Sequence, residues 1–135
     1  MGCNVFITAT DTEAGKTWVT ASAICSLLQQ GVHARALKPV ACGVDEAGKN
    51  EDIERLLAAQ GLENANDINL YHYALPAAPS QAAAAEGQRI DTDHLVQWCH
   101  RQSEDVHTCL IEGVGGLMAP LTDSLFVSDW IAAMP

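Results

Sequence analysis

Basic side chains are scarce in this sequence. Only 7 Lys and Arg stand against 17 Asp and Glu, a formal charge of −10. Binding a polyanion needs clustered Lys and Arg, so nucleic acid is excluded as a partner. An anionic ligand must instead be held locally, by a loop and one or two lysines, against an unfavourable overall field. No apolar run approaches membrane-spanning length, so no membrane partner is expected. The opening Met-Gly-Cys-Asn has no basic region and no long apolar segment, and does not read as a secretory signal. Nor does the position after Gly2 that a myristoylation signal reserves for Ser or Thr carry either. The five cysteines (Cys3, Cys25, Cys42, Cys99 and Cys109) include no Cys-x-x-Cys pair, and the five histidines lack metal-ligand spacing. Reduced thiols in a cytoplasmic protein are expected, four of them as small core residues, with no transition-metal site. What is present, 135 residues at 48% hydrophobic content, reads as a single domain over 1–135 with room for a real core.

The informative stretch is 4–18. A short apolar run (Val5, Phe6, Ile7) stops at a small, polar segment that ends in Gly15-Lys16-Thr17, and an amphipathic run follows at once. Strand, loop and helix in that order are what a phosphate-binding loop requires. Backbone N–H groups curl around the anion, the helix N-terminus turns its partial positive charge toward it, and a lysine adds a full charge. The threonine after that lysine is placed for magnesium. The strict G-x-x-x-x-G-K-[ST] pattern fails, because position 10 is Thr10 rather than glycine. The plain alternative is a strand–turn–helix corner with a solvated lysine.

Apolar periodicity predicts a buried strand over 3–8 and a helix over 17–30, with Trp18, Val19, Ala21, Ile24, Cys25 and Leu28 on its inner face. A weaker strand over 32–37 should end at Lys38-Pro39, since proline removes a ladder donor. Residues 42–50 read as loop. Residues 51–60 read as a helix with Ile53, Leu56 and Leu57 inward, and 62–80 as irregular chain. A short helix at 82–85 precedes a longer one over 91–103, capped by Asp91 or Thr92 and burying Leu95, Val96, Trp98 and Cys99. A strand at 106–111 opens into the Glu112–Gly116 loop, and 125–133 reads as a last helix. Strands alternating with helices imply an α/β fold, a parallel sheet flanked by helices. Ligands of such sheets bind beyond the carboxyl ends of the strands. Thr8–Thr17, Lys38–Cys42 and Glu112–Gly116 should therefore converge on one crevice.

Phosphate chemistry with magnesium needs a cradle, a cation and hard oxygen ligands. Gly15 to Thr17 supply the first two. Glu112, closing an apolar strand, is placed to complete a magnesium site. Asp52 is a candidate second carboxylate, although Asp45, Glu46, Glu51 and Glu54 lie near it in sequence and spacing does not choose among them. Lys38, at a strand end beside the crevice, is a candidate partner for an anion meeting a triphosphate; the alternative is a surface lysine.

Together, Thr-Asp-Thr-Glu-x-Gly-Lys-Thr, Lys38-Pro39-Val40-Ala41, Glu112-Gly-x-Gly-Gly, Pro120-Leu121-x-Asp123 and Asp129-Trp130 resemble dethiobiotin synthetases over nearly the whole chain. The resemblance implies a three-layer phosphate-loop NTPase-like fold and a homodimer once completed. It implies ATP- and Mg2+-dependent closure of a ureido ring from 7,8-diaminononanoate and CO2, through a carbamate and a carbamic–phosphoric anhydride. It places Glu13, Ala14, Gly15, Lys16 and Thr17 around the phosphates with Trp18 adjoining, and makes Glu112, Gly113, Val114 and Gly115 a second nucleotide-contacting loop. Thr17, Asp52 and Glu112 correspond to the magnesium-linked positions, Asp52 contacting the nucleotide as well. Thr12, Lys16 and Lys38 surround the carbamate and the transferring phosphoryl group, and Cys42 stands at a substrate-contacting position.

This sequence departs from that pattern at several points. Ala9 replaces the first loop glycine, and its methyl group restricts the backbone. Cys42 replaces a serine and is the poorer donor. Pro79-Ser80-Gln81 stands where the family has Ser/Thr-Pro-His. Family members also continue past the Asp-Trp helix, so a truncated domain with an uncovered sheet edge and poor autonomous stability is expected. Two other readings are a partitioning-type switch ATPase and an inactive remnant. The switch class carries an extra lysine early in the loop, where this chain has Asp11.

Overall fold

The computed structural model describes residues 2–10 and 15–135. Thr12, Glu13 and Ala14, expected around the phosphates and the carbamate, lie outside the described residues, as does Asp11. Strand β1 (Cys3–Ile7) leads to helix α1 (Lys16–Gln29), then β2 (Ala34–Leu37), β3 (Val40–Cys42) and α2 (Glu51–Gln60). A 3-10 turn at Ala65–Asp67, β4 (Tyr71–Tyr73), α3 (Pro79–Ala85), α4 (Thr92–Ser103), β5 (Thr108–Glu112) and α5 (Val127–Ala133) follow. The main sheet is parallel in the order β1-β5-β2, with Ile7 opposite Glu112 and Leu37 opposite Ile111. Strands β3 and β4 form a second parallel pair, Val40 opposite Tyr71. Helices α1 and α2 pack together against β2, while α4 packs on β5 and against α5. The architecture is α/β, with a parallel sheet flanked by helices.

Several local expectations need correction. The first strand is not buried: Val5 is 41% exposed, because among the described residues β1 is paired on one side only. The opposite edge, β2, is closed differently. Gln60 of α2 accepts from the Ala36 N–H at 2.8 Å and donates to its carbonyl at 3.1 Å, supplying a side-chain substitute for a strand partner. Helix α1 turns inward on Thr17, Thr20 and Ile24, leaving Trp18, Val19, Cys25 and Leu28 exposed. Thr20 can be buried because its hydroxyl donates to the Lys16 carbonyl at 2.7 Å, which satisfies it within the helix. Two cysteines, not four, are core residues, Cys99 and Cys109.

The short strands β3 and β4 replace part of the expected loop and irregular chain. Pro39 separates β2 from β3 and lets the chain change sheets. Its carbonyl accepts the N–H groups of Leu70 and Tyr71, which brings in β4. At the far end, Trp130 of α5 is fully buried and meets Phe6 edge-to-face, ring centroids 4.8 Å apart. This contact ties β1 to α5 and places the chain after β5 beside the strand ends.

Candidate functional site

Parallel strands deliver their following loops to one side of the sheet. Here the chain after β1, after β2 and after β5 surrounds a cavity of about 770 Å³, lined among others by Gly15, Lys16, Thr17, Trp18, Lys38, Cys42, Asp52, Glu112, Val114 and Gly115. The three predicted segments do converge. Gly113 does not line the cavity, but its carbonyl accepts from Lys38 Nζ at 2.8 Å.

The start of α1 is shaped for an anion. Gly15 is its N-cap at φ 89°, a left-handed conformation that favours glycine. A Cβ there would meet nothing within 4 Å among the described residues, so the demand they show is conformational. Among the described residues no side chain caps the helix, and no acidic residue sits in its first turn. The N–H groups and the helix dipole of this end are thus open toward the cavity that its first residues line. Lys16 Nζ donates to the Gly115 carbonyl at 2.7 Å.

Opposite stands Glu112, completely buried. Its Oε1 accepts from Thr17 Oγ1 at 2.5 Å and lies 3.7 Å from Lys38 Nζ. Its Oε2 has no hydrogen-bond partner among the described residues. Burial pushes the Glu112 carboxyl above its ordinary range; Lys38 and the Thr17 hydrogen bond pull it back, Asp52 adds to the rise, and Lys16 opposes it. Lys38 is only 4% exposed and lies 3.7 Å from Asp52 Oδ2 as well. It is held in place through its own backbone. Asn69, also buried, donates to the Lys38 carbonyl at 2.8 Å, and the Lys38 N–H reaches the Ile68 carbonyl at 2.9 Å. Asp52 arrives on the first turn of α2, whose N-cap Asn50 accepts from the Asp52 and Ile53 N–H groups. Cys42 is half-buried; burial pushes its thiol up to about 11, Lys38 lowers it and Glu86 raises it, so the group stays neutral and protonated near pH 7.

Glycines govern the loop after β5. The Gly113 N–H donates to the Ile7 carbonyl at 2.9 Å, and a Cβ at 113 would come to 3.0 Å from Phe6 Cε1. The Leu117 N–H donates to the Ala9 carbonyl at 2.7 Å. The loop is thereby fastened to the end of β1 and to Ala9 just after it, with two of its carbonyls turned to the two lysines.

The donor set fits magnesium. An orphaned buried carboxylate oxygen, a hydroxyl and a second carboxylate are hard ligands, and magnesium binds through few protein groups while keeping several waters. Among the described residues no group of three His, Cys, Asp or Glu side chains could hold an ion by itself. Also among the described residues, no helix is long and apolar enough to cross a membrane.

Sequence reasoning missed Arg55, which lines the cavity one turn after Asp52 and pairs with Glu51. It also missed Asn69, and the segments 76–78 and 118–120 that form another part of the wall. Arg55 had a signal, being one of seven basic residues on the same helix as a candidate carboxylate. Asn69 had none, because its value lies in backbone contacts with residues far off in sequence.

The chain matches the protein family described as AAA domain over residues 3–134. It is 44% identical over 138 residues to the ATP-dependent dethiobiotin synthetase BioD of Acidiphilium cryptum (strain JF-5). That alignment covers 96% of this chain and 61% of the relative, so the chain spans somewhat less than two thirds of the curated protein it matches.

Proposed function

The chain belongs to the AAA-domain family, and on that premise we propose that it is all or part of an ATP- and magnesium-dependent ligase that forms dethiobiotin from 7,8-diaminononanoate and CO2. One observation carries this reading: two lysines, Lys16 and Lys38, are held on carbonyls of the same loop that brings in Glu112. One cation suffices to bind a triphosphate. A second, buried and facing carboxylates, suits a reaction in which another anion must approach the γ-phosphate. The likeness to the Acidiphilium synthetase supports the same choice.

In the proposed reaction, one substrate amine takes up CO2 and loses a proton to become a carbamate. A carbamate oxygen attacks the γ-phosphorus and ADP leaves. The second amine then attacks the carbamoyl carbon of the mixed anhydride, inorganic phosphate departs with the bridging oxygen, and the ureido ring closes. Lys16 neutralises charge on the β- and γ-phosphates. Lys38 holds the carbamate against the triphosphate. Cys42 faces the same cavity and offers the diamine a weak donor. Bound magnesium would neutralise the β,γ-bridging charge, held by Thr17, Asp52 and Glu112. Thr12, Glu13 and Ala14 complete the loop in this reading. A cytoplasmic location and a homodimer belong to the same proposal.

Incubation with diaminononanoate, bicarbonate, magnesium and ATP tests it. Diamine-dependent phosphate release is expected. Release without diamine favours a switch ATPase, and silence an inactive remnant. Lys38→Met, which keeps the stem and removes the charge, should abolish turnover while leaving ATP binding intact. Unchanged turnover in that variant would remove Lys38 from the mechanism.

A further inference from the structure

Lys38 stands where the chain leaves the main sheet. Leu37, opposite Ile111, ends β2, and Pro39 follows Lys38 at once. The Lys38 N–H donates to the Ile68 carbonyl at 2.9 Å, and its carbonyl accepts from Asn69 Nδ2 at 2.8 Å. Both backbone groups of the lysine are thus taken up by two consecutive residues from before β4. The 3-10 turn at Ala65–Asp67 presents those two residues, since the Ala65 carbonyl accepts the N–H groups of Ile68 and Asn69 at 3.1 and 2.9 Å. Asn64, exposed, caps the turn by accepting from the Asn66 N–H.

Asn69 is only 7% exposed, and its amide nitrogen meets three carbonyls: Lys38 at 2.8 Å, Tyr71 at 2.9 Å and Pro39 at 3.4 Å. Its Oδ1 lies 3.3 Å from His72 Nδ1. Three carbonyls around one end of the amide fix the nitrogen there, because an oxygen would face only acceptors. A side chain of the same shape without N–H groups cannot make this junction. The tip of a lysine is remote from its own backbone, so its place depends on how firmly that backbone is held. Lys38 Nζ is met by Gly113, Asp52 and Glu112 from two other elements, and the turn before β4 fixes the base of the side chain.

We propose that Asn69 is a positioning residue for the phosphoryl transfer, fixing the backbone of Lys38 so that its ammonium stays at the junction of Asp52, Glu112 and Gly113. This rests on the ligase reading and on the role given there to Lys38. Asn69 does not line the cavity, so it acts through Lys38 and not on the ligands.

Two readouts test this in Asn69→Ala and in Asn69→Asp, which keeps the shape and loses the N–H donors. The first is kinetic. Diamine-dependent phosphate release should fall by about a hundredfold in kcat, as misplacement of a positioned group implies, with Mg·ATP affinity unchanged. The second needs no turnover: acetylation of Lys38 by acetic anhydride, followed by mass spectrometry against the exposed Lys49. Lys38 should react slowly in the unmodified chain and several-fold faster in both variants, while Cys99 and Cys109 stay protected from iodoacetamide. Normal kcat in Asn69→Asp overturns the proposal, because position 69 then supplies shape alone. Equal losses of ATP affinity and kcat, or labelling of the two core thiols, overturn it in favour of a general structural role. Should neither variant fold, Asn64→Ala decides, since it loosens the same turn from its exposed side: faster Lys38 acetylation with protected thiols supports the anchor, and an unchanged rate overturns it. Absence of diamine-dependent release from the unmodified chain overturns the ligase reading, and Lys38 acetylation then still decides whether Asn69 holds the lysine.

Discussion

Helices α1 and α2 pack side by side and begin in opposite ways. Helix α2 is closed at its N-terminus: the Asn50 side chain accepts from two N–H groups, and Glu51, Asp52 and Glu54 fill the first turn with negative charge. Its dipole is answered by its own sequence. Helix α1 begins at a left-handed glycine, with no side-chain cap among the described residues and no acid in its first turn, and follows it with lysine and threonine. Both ends border the same cavity, through Gly15 to Trp18 on one side and Asp52 and Arg55 on the other. Two helix ends meeting in one chamber thus divide the work. The capped end presents a carboxylate to Lys38, 3.7 Å away, and the other end presents Lys16 and Thr17.

Lys16 separates the two helix ends most clearly. Lys16→Ala should weaken triphosphate binding by a hundredfold or more, as removal of a desolvated charge contact implies, while Asn50→Ala should leave that affinity within about twofold. Calorimetric titration of both variants checks this, and a large binding loss in Asn50→Ala would dissolve the division. Next comes stability. Asn50→Ala removes a cap and should cost about 1 kcal/mol in urea unfolding. Gly15→Ala should cost roughly 1–2 kcal/mol through the left-handed backbone, because no neighbour among the described residues obstructs the methyl group.

Glu112 gives a pH signature at the junction of the two helices. Its folded-state pKa is raised, so the folded chain keeps a proton that the unfolded chain gives up. Stability should therefore fall as pH rises from the ordinary carboxylate range through the raised value. If Glu112 is a magnesium ligand as proposed, Mg·ATP should flatten the slope in melting temperature against pH; an unchanged slope would separate Glu112 from the metal. The smallest effect is on thiol labelling. At pH 8, iodoacetamide should modify the exposed Cys3 and Cys25 quickly and spare Cys99 and Cys109 in the core. Cys42, raised to about 11, should label slowly until the pH approaches that value. Fast labelling of Cys42 at pH 8 would mean that the cavity around Lys38 is more open than its burial implies.

Strand and helix at the start of the chain were legible because each signal was local: an apolar run, then helical spacing after Gly-Lys-Thr. The positions of Lys38 and Glu112 at strand ends were legible for the same reason. The burial of Lys38 was not. It depends on Gly113, Asp52 and Glu112 closing over it from two other elements. Strands β3 and β4 escaped notice because each has three residues, and Pro39 and Gly43 flank the first. Tyr71 and Tyr73 carried a usable signal, two aromatics alternating with a polar residue. The inner face of α1 was misjudged by counting apolar residues. Helix α1 buries two threonines, one bonded to Glu112 and one to its own helix, and turns its tryptophan out. That inversion belongs to a helix positioned by the demands of a site.

Isotope transfer tests the central claim, that this site phosphorylates a carbamate. The chain is incubated with diaminononanoate, magnesium, ATP and freshly added 18O-bicarbonate, and the released phosphate is analysed by mass. Diamine-dependent phosphate carrying one 18O, taken from the carbamate oxygen that attacked the γ-phosphorus, is the predicted result. Phosphate that is unlabelled, or that forms equally without diamine, would contradict it.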